Sequence, residues 1–169
     1  MNSLKIILTS ILLAIIYGII HDLITTQICI EYFTITHPKI IESQNPVALA
    51  FLWGTIATWW VGLIFGLLII FANKFGKSRS LQLKELFPLL LKFFLILFGF
   101  ALLAGIIGYF LTEMKVIHLV DRLKNQLENV DESRFLAVGW AHGASYIIGS
   151  IGIIILSFKI LSVRKKIHV

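Results

Sequence analysis

Four long apolar runs, separated by short polar segments, dominate the pattern of hydrophobic and polar positions along the chain. A helix that crosses the hydrocarbon core of a bilayer needs roughly twenty mostly apolar residues. We therefore predict spans at about 4–25, 46–72, 88–111 and 134–161. The expected fold is a single-domain, all-α, polytopic membrane four-helix bundle.

The starts of the first two spans are marked differently. The run 4–20 alone is slightly short for the hydrocarbon thickness, so we expect the first helix to continue past His21. Asn45 is a favourable helix cap and Pro46 suits the first position of the second helix. A basic start before an apolar run also fits a cleaved signal peptide, but no small-residue cleavage site follows, which favours an uncleaved anchor.

Small residues recur every four positions along the second span, at Gly54, Thr58, Gly62 and Gly66. Such a stripe lets another helix approach closely, so it predicts a packing face. Faces of this kind also join copies of a chain, and a homo-oligomer is one partner that the sequence allows.

Two polar segments lie between the spans. After Ile30, the alternation in 31–34 and the proline after His37 predict a short extended loop. In 113–130, apolar residues fall on one helical face and charged residues on the other, which predicts an amphipathic helix lying on the membrane. The apolar face consists of Val116, Val120, Leu123, Leu127 and Val130.

Composition agrees with a membrane protein. The 169 residues are 58% hydrophobic and 14% charged, and the mean hydropathy is +0.92, well outside the range of soluble domains. The net charge of +6 does not indicate nucleic-acid binding, because the basic residues flank apolar runs. Cys29 is the only cysteine, which excludes an intrachain disulfide and a dithiol redox site.

The distribution of basic residues predicts the orientation. With both termini and the 73–85 segment on one side, that side holds ten of the fifteen lysines and arginines. Because basic residues accumulate on the cytoplasmic side, we expect cytoplasmic termini and an exoplasmic amphipathic helix between spans 3 and 4.

Ionisable side chains concentrate on the predicted exoplasmic half, which holds four of the five histidines. His142 lies about 12 Å along its helix from Arg134, inside the hydrocarbon layer, where an ionisable group is a functional-site hypothesis with a partner. We expect an outward-facing polar pocket that binds a divalent metal ion, zinc or another first-row metal. Its candidate ligands are Asp22, Glu31, His37 and His142, and its other pocket residues are His21, Thr25, Trp53 and Ser145.

Other interpretations stay open for these residues. His142 also fits a structural hydrogen bond between helices, and Asp22 and Glu31 also fit solvated positions at the membrane boundary. None of the local spacings matches a recognised metal motif.

Several short motifs resemble a family of small bacterial four-helix integral membrane proteins. They are the sequences EYFTxxHP at 31–38, WGxxATWW at 53–60, Arg134-Phe135 and AHxxSY at 141–146. The resemblance covers most of the chain and implies a bacterial inner-membrane protein whose polar residues work together. It implies no particular activity.

Three functions of different classes follow. The first is a metal-binding membrane protein, extending to a metal-dependent membrane enzyme that hydrolyses a lipid or periplasmic substrate. The second is a homo-oligomeric channel or transporter element. The third is a non-catalytic membrane subunit that docks a partner through the 21–45 loop.

Overall fold

The structure is a computed structural model that describes residues 2–124, 127 and 129–166, and over these it is all-helical. The predicted four-helix architecture is confirmed, since four helices are long and apolar enough to cross a membrane. The helices are α1 (Asn2–Ile28), α2 (Glu31–Ile35), α3 (Pro46–Ile56), α4 (Trp59–Lys74), α5 (Leu83–Glu113), α6 (Asp121–Lys124) and α7 (Glu132–Lys166). Together α3 and α4 form the second span, with a break at Ala57 and Thr58.

The long helices alternate in direction. Asn2 at the start of α1 donates to the carbonyl of Leu81, and Arg164 near the end of α7 donates to the carbonyl of Arg79. Both ends of the chain therefore meet the 75–82 connection. The opposite end, which carries the 29–45 connection, is called the loop end below. Which end faces the cytoplasm stays a prediction from the charge distribution.

The small-residue stripe of the second span is a packing face, as predicted, and α1 lies directly against it. A β-carbon on Gly54 would lie 2.6 Å from Cα of Ile19, and one on Gly62 would lie 2.7 Å from Cα of Ile11. Side chains larger than hydrogen therefore do not fit at these positions without moving α1. This close approach fixes α1 against α3 and α4.

The other tight helix pair is α5 with α7. Trp140 covers Gly108, and the ring of Phe93 covers Gly152. α5 begins at Leu83 and not at Pro88, because the Glu85 carboxylate accepts the backbone N–H of Gln82 at 2.7 Å and so caps an earlier start.

The prediction of one amphipathic helix across 113–130 is wrong for the described residues. After α5 ends at Glu113, Lys115 adopts a positive φ of 58° and the chain turns. Of the residues described between Glu113 and Val130, only Asp121–Lys124 is helical. The buried residues also differ from the predicted face, since Leu119 is buried whereas Val116 is 65% exposed. Residues 125, 126 and 128 lie outside the described part.

The extended loop predicted for 31–34 is also wrong. These residues begin α2, where the backbone N–H groups of Phe33 and Thr34 donate to the carbonyl of Ile30. The alternating pattern predicted an extended backbone, but a helical turn is what lets Phe33, which is 2% exposed, pack into the core.

Candidate metal centre

The last three turns of α1 bring two ionisable residues into the bundle. Because the helix continues to Ile28, His21 and Asp22 face the interior, and each is only 4% exposed. Thr25 and Thr26 follow one turn later and donate their hydroxyl hydrogens to the carbonyls of His21 and Asp22. The threonines are thus satisfied within α1, which leaves the His21 and Asp22 side chains to interact with other helices.

His142 on α7 meets both of these side chains. Its Nε2 lies 3.3 Å from Oδ1 of Asp22, and its Nδ1 lies 3.4 Å from Nε2 of His21. One ligand atom from each of the three residues lies within 4.8 Å of the others. His21, Asp22 and His142 are called the His-Asp-His cluster below.

A hydrogen bond to the backbone fixes the tautomer of His142. Its Nδ1 lies 2.9 Å from the carbonyl oxygen of Val138, which can only accept, so Nδ1 carries a hydrogen. Nε2 then faces the Asp22 carboxyl group. Without a metal ion, that contact needs one proton between the two groups, held either by the imidazole or by the carboxyl. The same two atoms are available to a metal ion in place of the proton.

Two predicted ligands lie outside this cluster. Glu31, at the start of α2, accepts a hydrogen bond from the Cys29 thiol at 3.3 Å. His37 follows α2 and its ring centroid lies 4.6 Å from that of Trp53. Nδ1 of His37 is 3.1 Å from the carbonyl oxygen of Tyr32, so Nδ1 donates there and Nε2 is the unprotonated nitrogen of the neutral ring.

A cavity of about 230 Å³ adjoins the His-Asp-His cluster. All three cluster residues line it, and so do the predicted pocket residues Trp53 and Ser145 together with His37. Thr25 instead lines a separate cavity between α1, α5 and α7. The structure therefore places His37 at the same cavity as the cluster, although not within ligand distance of it.

The short helix α2 covers the cluster at the loop end. The ring of Tyr32 lies 4.8 Å from that of His142, and the ring of Phe33 lies 5.6 Å from it. Beyond them, the connection 33–44 encloses a second cavity of about 510 Å³. His37 and Trp53 line both cavities and so separate the connection from the cluster.

Tyr17 is a site residue that sequence reasoning missed. Its ring stacks on His21 with centroids 5.8 Å apart, and its hydroxyl lies 2.6 Å from the Ser145 hydroxyl. Since Ser145 donates to the carbonyl of Ala141, Tyr17 is the donor to Ser145. The signal was its position four residues before His21, which places both residues on one helical face.

Burial changes the acidity of the groups on the connecting segment. It lowers the pKa of His37, which keeps this imidazole neutral near pH 7. It also raises the pKa of the Cys29 thiol to about 11, with the neighbouring Glu31 carboxylate adding to the effect. Cys29 is therefore a protonated thiol at physiological pH and not a thiolate ligand.

Comparisons of the chain with protein-family models, with curated proteins and with solved structures give no match.

Proposed function

We propose that the His-Asp-His cluster binds one divalent first-row metal ion, with zinc the best fit to its ligands. The observation that carries this proposal is the convergence of two imidazoles and one carboxylate, all buried or half-buried among helices apolar enough to span a membrane. Two imidazoles and a carboxylate are a common ligand set of zinc sites.

One of the spacings within the cluster, whose three ligand atoms lie within 4.8 Å of one another, supports a metal ion. Ligands about 2.0–2.2 Å from a tetrahedral zinc lie about 3.3 Å from one another. Nε2 of His142 and Oδ1 of Asp22 are 3.3 Å apart. Nε2 of His21 lies 3.4 Å from the other nitrogen of His142, so the His21 ring would have to turn toward Nε2 to share an ion with it. The Val138 carbonyl orients His142 from behind, as outer-shell partners of metal-bound histidines do.

His21, Asp22 and His142 would hold such an ion with three protein ligands, the number found in catalytic zinc sites. When bound, such an ion would supply a water molecule of pKa about 7, which is a source of a hydroxide nucleophile near neutral pH. His37 lines the same cavity as a neutral base that can accept the proton released by this water. The reaction class that fits is metal-dependent hydrolysis within a membrane.

The environment follows from the charge distribution. In the orientation that it predicts, the cluster lies in the exoplasmic half of the membrane. With the bacterial inner membrane that the motif resemblance implies, the second cavity would open to the periplasm. The alternative of a homo-oligomeric channel through the stripe of the second span has less support, because α1 of the same chain occupies that face.

The test is a zinc titration of purified protein in detergent, with bound metal measured by elemental analysis. We expect about one zinc per chain, and Asp22→Asn and His142→Gln to weaken binding by at least about a hundredfold, more than loss of an outer-shell partner does. His118→Gln is the matched control, because it removes a half-exposed histidine of the loop end that pairs with Glu132 and not with the cluster.

Two outcomes would contradict the proposal. One is wild-type protein that folds, as judged by circular dichroism and gel filtration, yet holds no stoichiometric metal after titration. The other is equal loss of zinc in His118→Gln and His142→Gln, which would place the ion elsewhere on the chain.

A further inference from the structure

The cavity beside the cluster extends from the loop end toward the middle of the bundle. Along α7 it is lined from His142 to Ser150, eight residues that rise about 12 Å. Along α1 it is lined from Asp22 back to Ala14, an equal distance in the same direction. The cavity is therefore a channel that begins at the cluster and runs parallel to the helices.

The polarity of the wall changes along this channel. The cluster and His37 form its polar end, at the loop end of the bundle. The far end is lined mainly by the apolar residues Val61, Phe65, Phe94 and Leu97. The hydroxyl of Ser150, which also lies there, already donates to the Tyr146 carbonyl. The ring of Phe65 and a methyl group of Leu97 pack over Gly149, and a β-carbon there would lie 3.6 Å from each of them. These two side chains close the far end of the channel. Such a cavity matches a molecule with a polar head and an apolar chain.

The channel also reaches the outer surface of the bundle, between α4 and α7. Four of its lining residues are exposed there: Trp60, Ile64, Tyr146 and Ser150. Ser150 lies about 27 Å from Glu132 and about 24 Å from Lys166 along α7, so this mouth is near the middle of the span. An opening at that depth faces lipid chains and not water.

From these features we infer that the site takes a single-chain fatty acyl amphiphile, which enters from the bilayer between α4 and α7 with its head at the His-Asp-His cluster. This inference rests on the proposed metal function, because the ion gives the polar end its net positive charge and binds head-group oxygens.

Orientation and size support this occupant. The head lies toward the loop end and the chain toward the middle of the span, as in a lipid of the leaflet on the loop side. A volume of about 230 Å³ is below the usual range of about 300–1,000 Å³ for drug-sized ligands. The channel therefore holds a head and part of one chain, while the rest of the chain stays in the bilayer.

The test uses zinc-loaded full-length protein in phosphatidylcholine nanodiscs and a fatty acid with a photoreactive diazirine in mid-chain. We expect crosslinks within 57–65 and 142–150 that excess dodecanoate suppresses and acetate does not. Ser150→Trp fills the mouth without touching the cluster and should lower this crosslinking about tenfold, as an overpacked site does. Ile154→Trp, an exposed position of α7 beyond the cavity lining, is the matched control and should leave it unchanged.

Zinc content is measured on the same samples, so that the two proposals fail separately. One zinc per chain without dodecanoate-sensitive crosslinking overturns the amphiphile inference alone. Equal crosslinking of Ser150→Trp and wild type overturns entry between α4 and α7. Suppression by acetate at the same concentration overturns the role of the acyl chain. Crosslinking of a phosphatidylcholine that carries the same mid-chain diazirine to the same residues, unaffected by dodecanoate, replaces the occupant with a two-chain lipid. Wild-type protein that binds no zinc overturns the metal site and, with it, the proposed contact of the head group with the ion.

Discussion

At the scale of single residues, His142 shows how a backbone group prepares a side chain for chemistry. The Val138 carbonyl, one helical turn earlier, holds the Nδ1 hydrogen and so presents Nε2 to Asp22. The Tyr32 carbonyl holds Nδ1 of His37 in the same way. Both histidines are therefore fixed in the tautomer whose Nε2 is free to bind a metal ion or a proton.

Cys29 provides a test of the burial of the connecting segment. Because its thiol pKa is raised to about 11, very little of it is thiolate near pH 8, and thiolate is the form that maleimide or iodoacetamide attacks. We expect alkylation to be roughly a hundredfold slower than for a free thiol of pKa about 8.5 at that pH. The rate should rise about tenfold for each unit of pH up to about 10, since the thiolate fraction does.

The measurement is the mass shift of the intact folded protein over time, with urea-unfolded protein as the reference. Glu31→Gln should speed the reaction only modestly, because desolvation is the larger cause of the pKa shift and the carboxylate the smaller one. Labelling of folded protein at the unfolded rate would contradict the described burial of Cys29.

At the scale of helices, the contact of α1 with the second span decides where His21 and Asp22 lie. The small residues of that span allow a backbone separation that larger side chains would prevent. The packing that stabilises the bundle therefore also positions the candidate metal centre.

Gly62→Ala tests this contact. The new β-carbon would lie 2.7 Å from Cα of Ile11, so α1 must move, and overpacking of this kind costs about 1–3 kcal/mol of unfolding free energy. Gly99→Ala is the matched control, because its β-carbon would meet no other helix within 4 Å and alanine is the better helix former. Thermal unfolding in detergent measures both, and equal melting temperatures would contradict the tight contact.

Arg164 holds the opposite end of the bundle. It is 1% exposed, and its guanidinium donates to the carbonyls of Ala72 and Phe75 at 2.7 Å each, and to those of Ser78 and Arg79. These carbonyls belong to the end of α4 and the connection to α5. One side chain thus satisfies backbone groups that would otherwise be left without partners.

Replacing Arg164 should destabilise the protein strongly. Arg164→Ala leaves the buried Ala72 carbonyl unpaired, at about 1–3 kcal/mol, and removes the hydrogen bonds to three part-buried carbonyls as well. Arg164→Lys should rescue only part of the loss because an ammonium lacks the planar array of donors. Lys165→Ala, at an exposed neighbouring position, is the control. Chemical denaturation of the three variants gives the comparison, and an Arg164→Ala protein as stable as Lys165→Ala would refute the role.

At the scale of the whole molecule, the sequence alone predicted the four helices because apolar length is a direct requirement of the bilayer. It also predicted the packing face of the second span, since small residues at every fourth position have few other uses in a membrane helix. The conformation of the connecting segments was harder to predict from the sequence. The patterns in 31–34 and 113–130 fit an extended loop and a surface helix locally, but the packing of Phe33 and Leu119 against other helices decided their conformation.

Part of the candidate metal centre was also predictable from the sequence. His142 and Asp22 were expected to meet because ionisable groups inside a membrane need partners, and the structure brings them to 3.3 Å. The sequence had no means of separating Glu31 from the cluster, because its partner, Cys29, depends on the turn between α1 and α2. The place of Tyr17 in the site could have been predicted from its helical spacing to His21. The cavity between α4 and α7 could be found only from the three-dimensional structure.

The central claim is that two imidazoles and one carboxylate hold a metal ion among the helices. X-ray absorption spectroscopy of the zinc-loaded protein tests it most directly, because imidazole rings give a characteristic outer-shell scattering pattern. We predict a first shell of nitrogen and oxygen at about 2.0–2.1 Å with two imidazoles and no sulfur, the shell of a catalytic zinc site. A shell that contains sulfur, or one without imidazole scattering, would contradict the account.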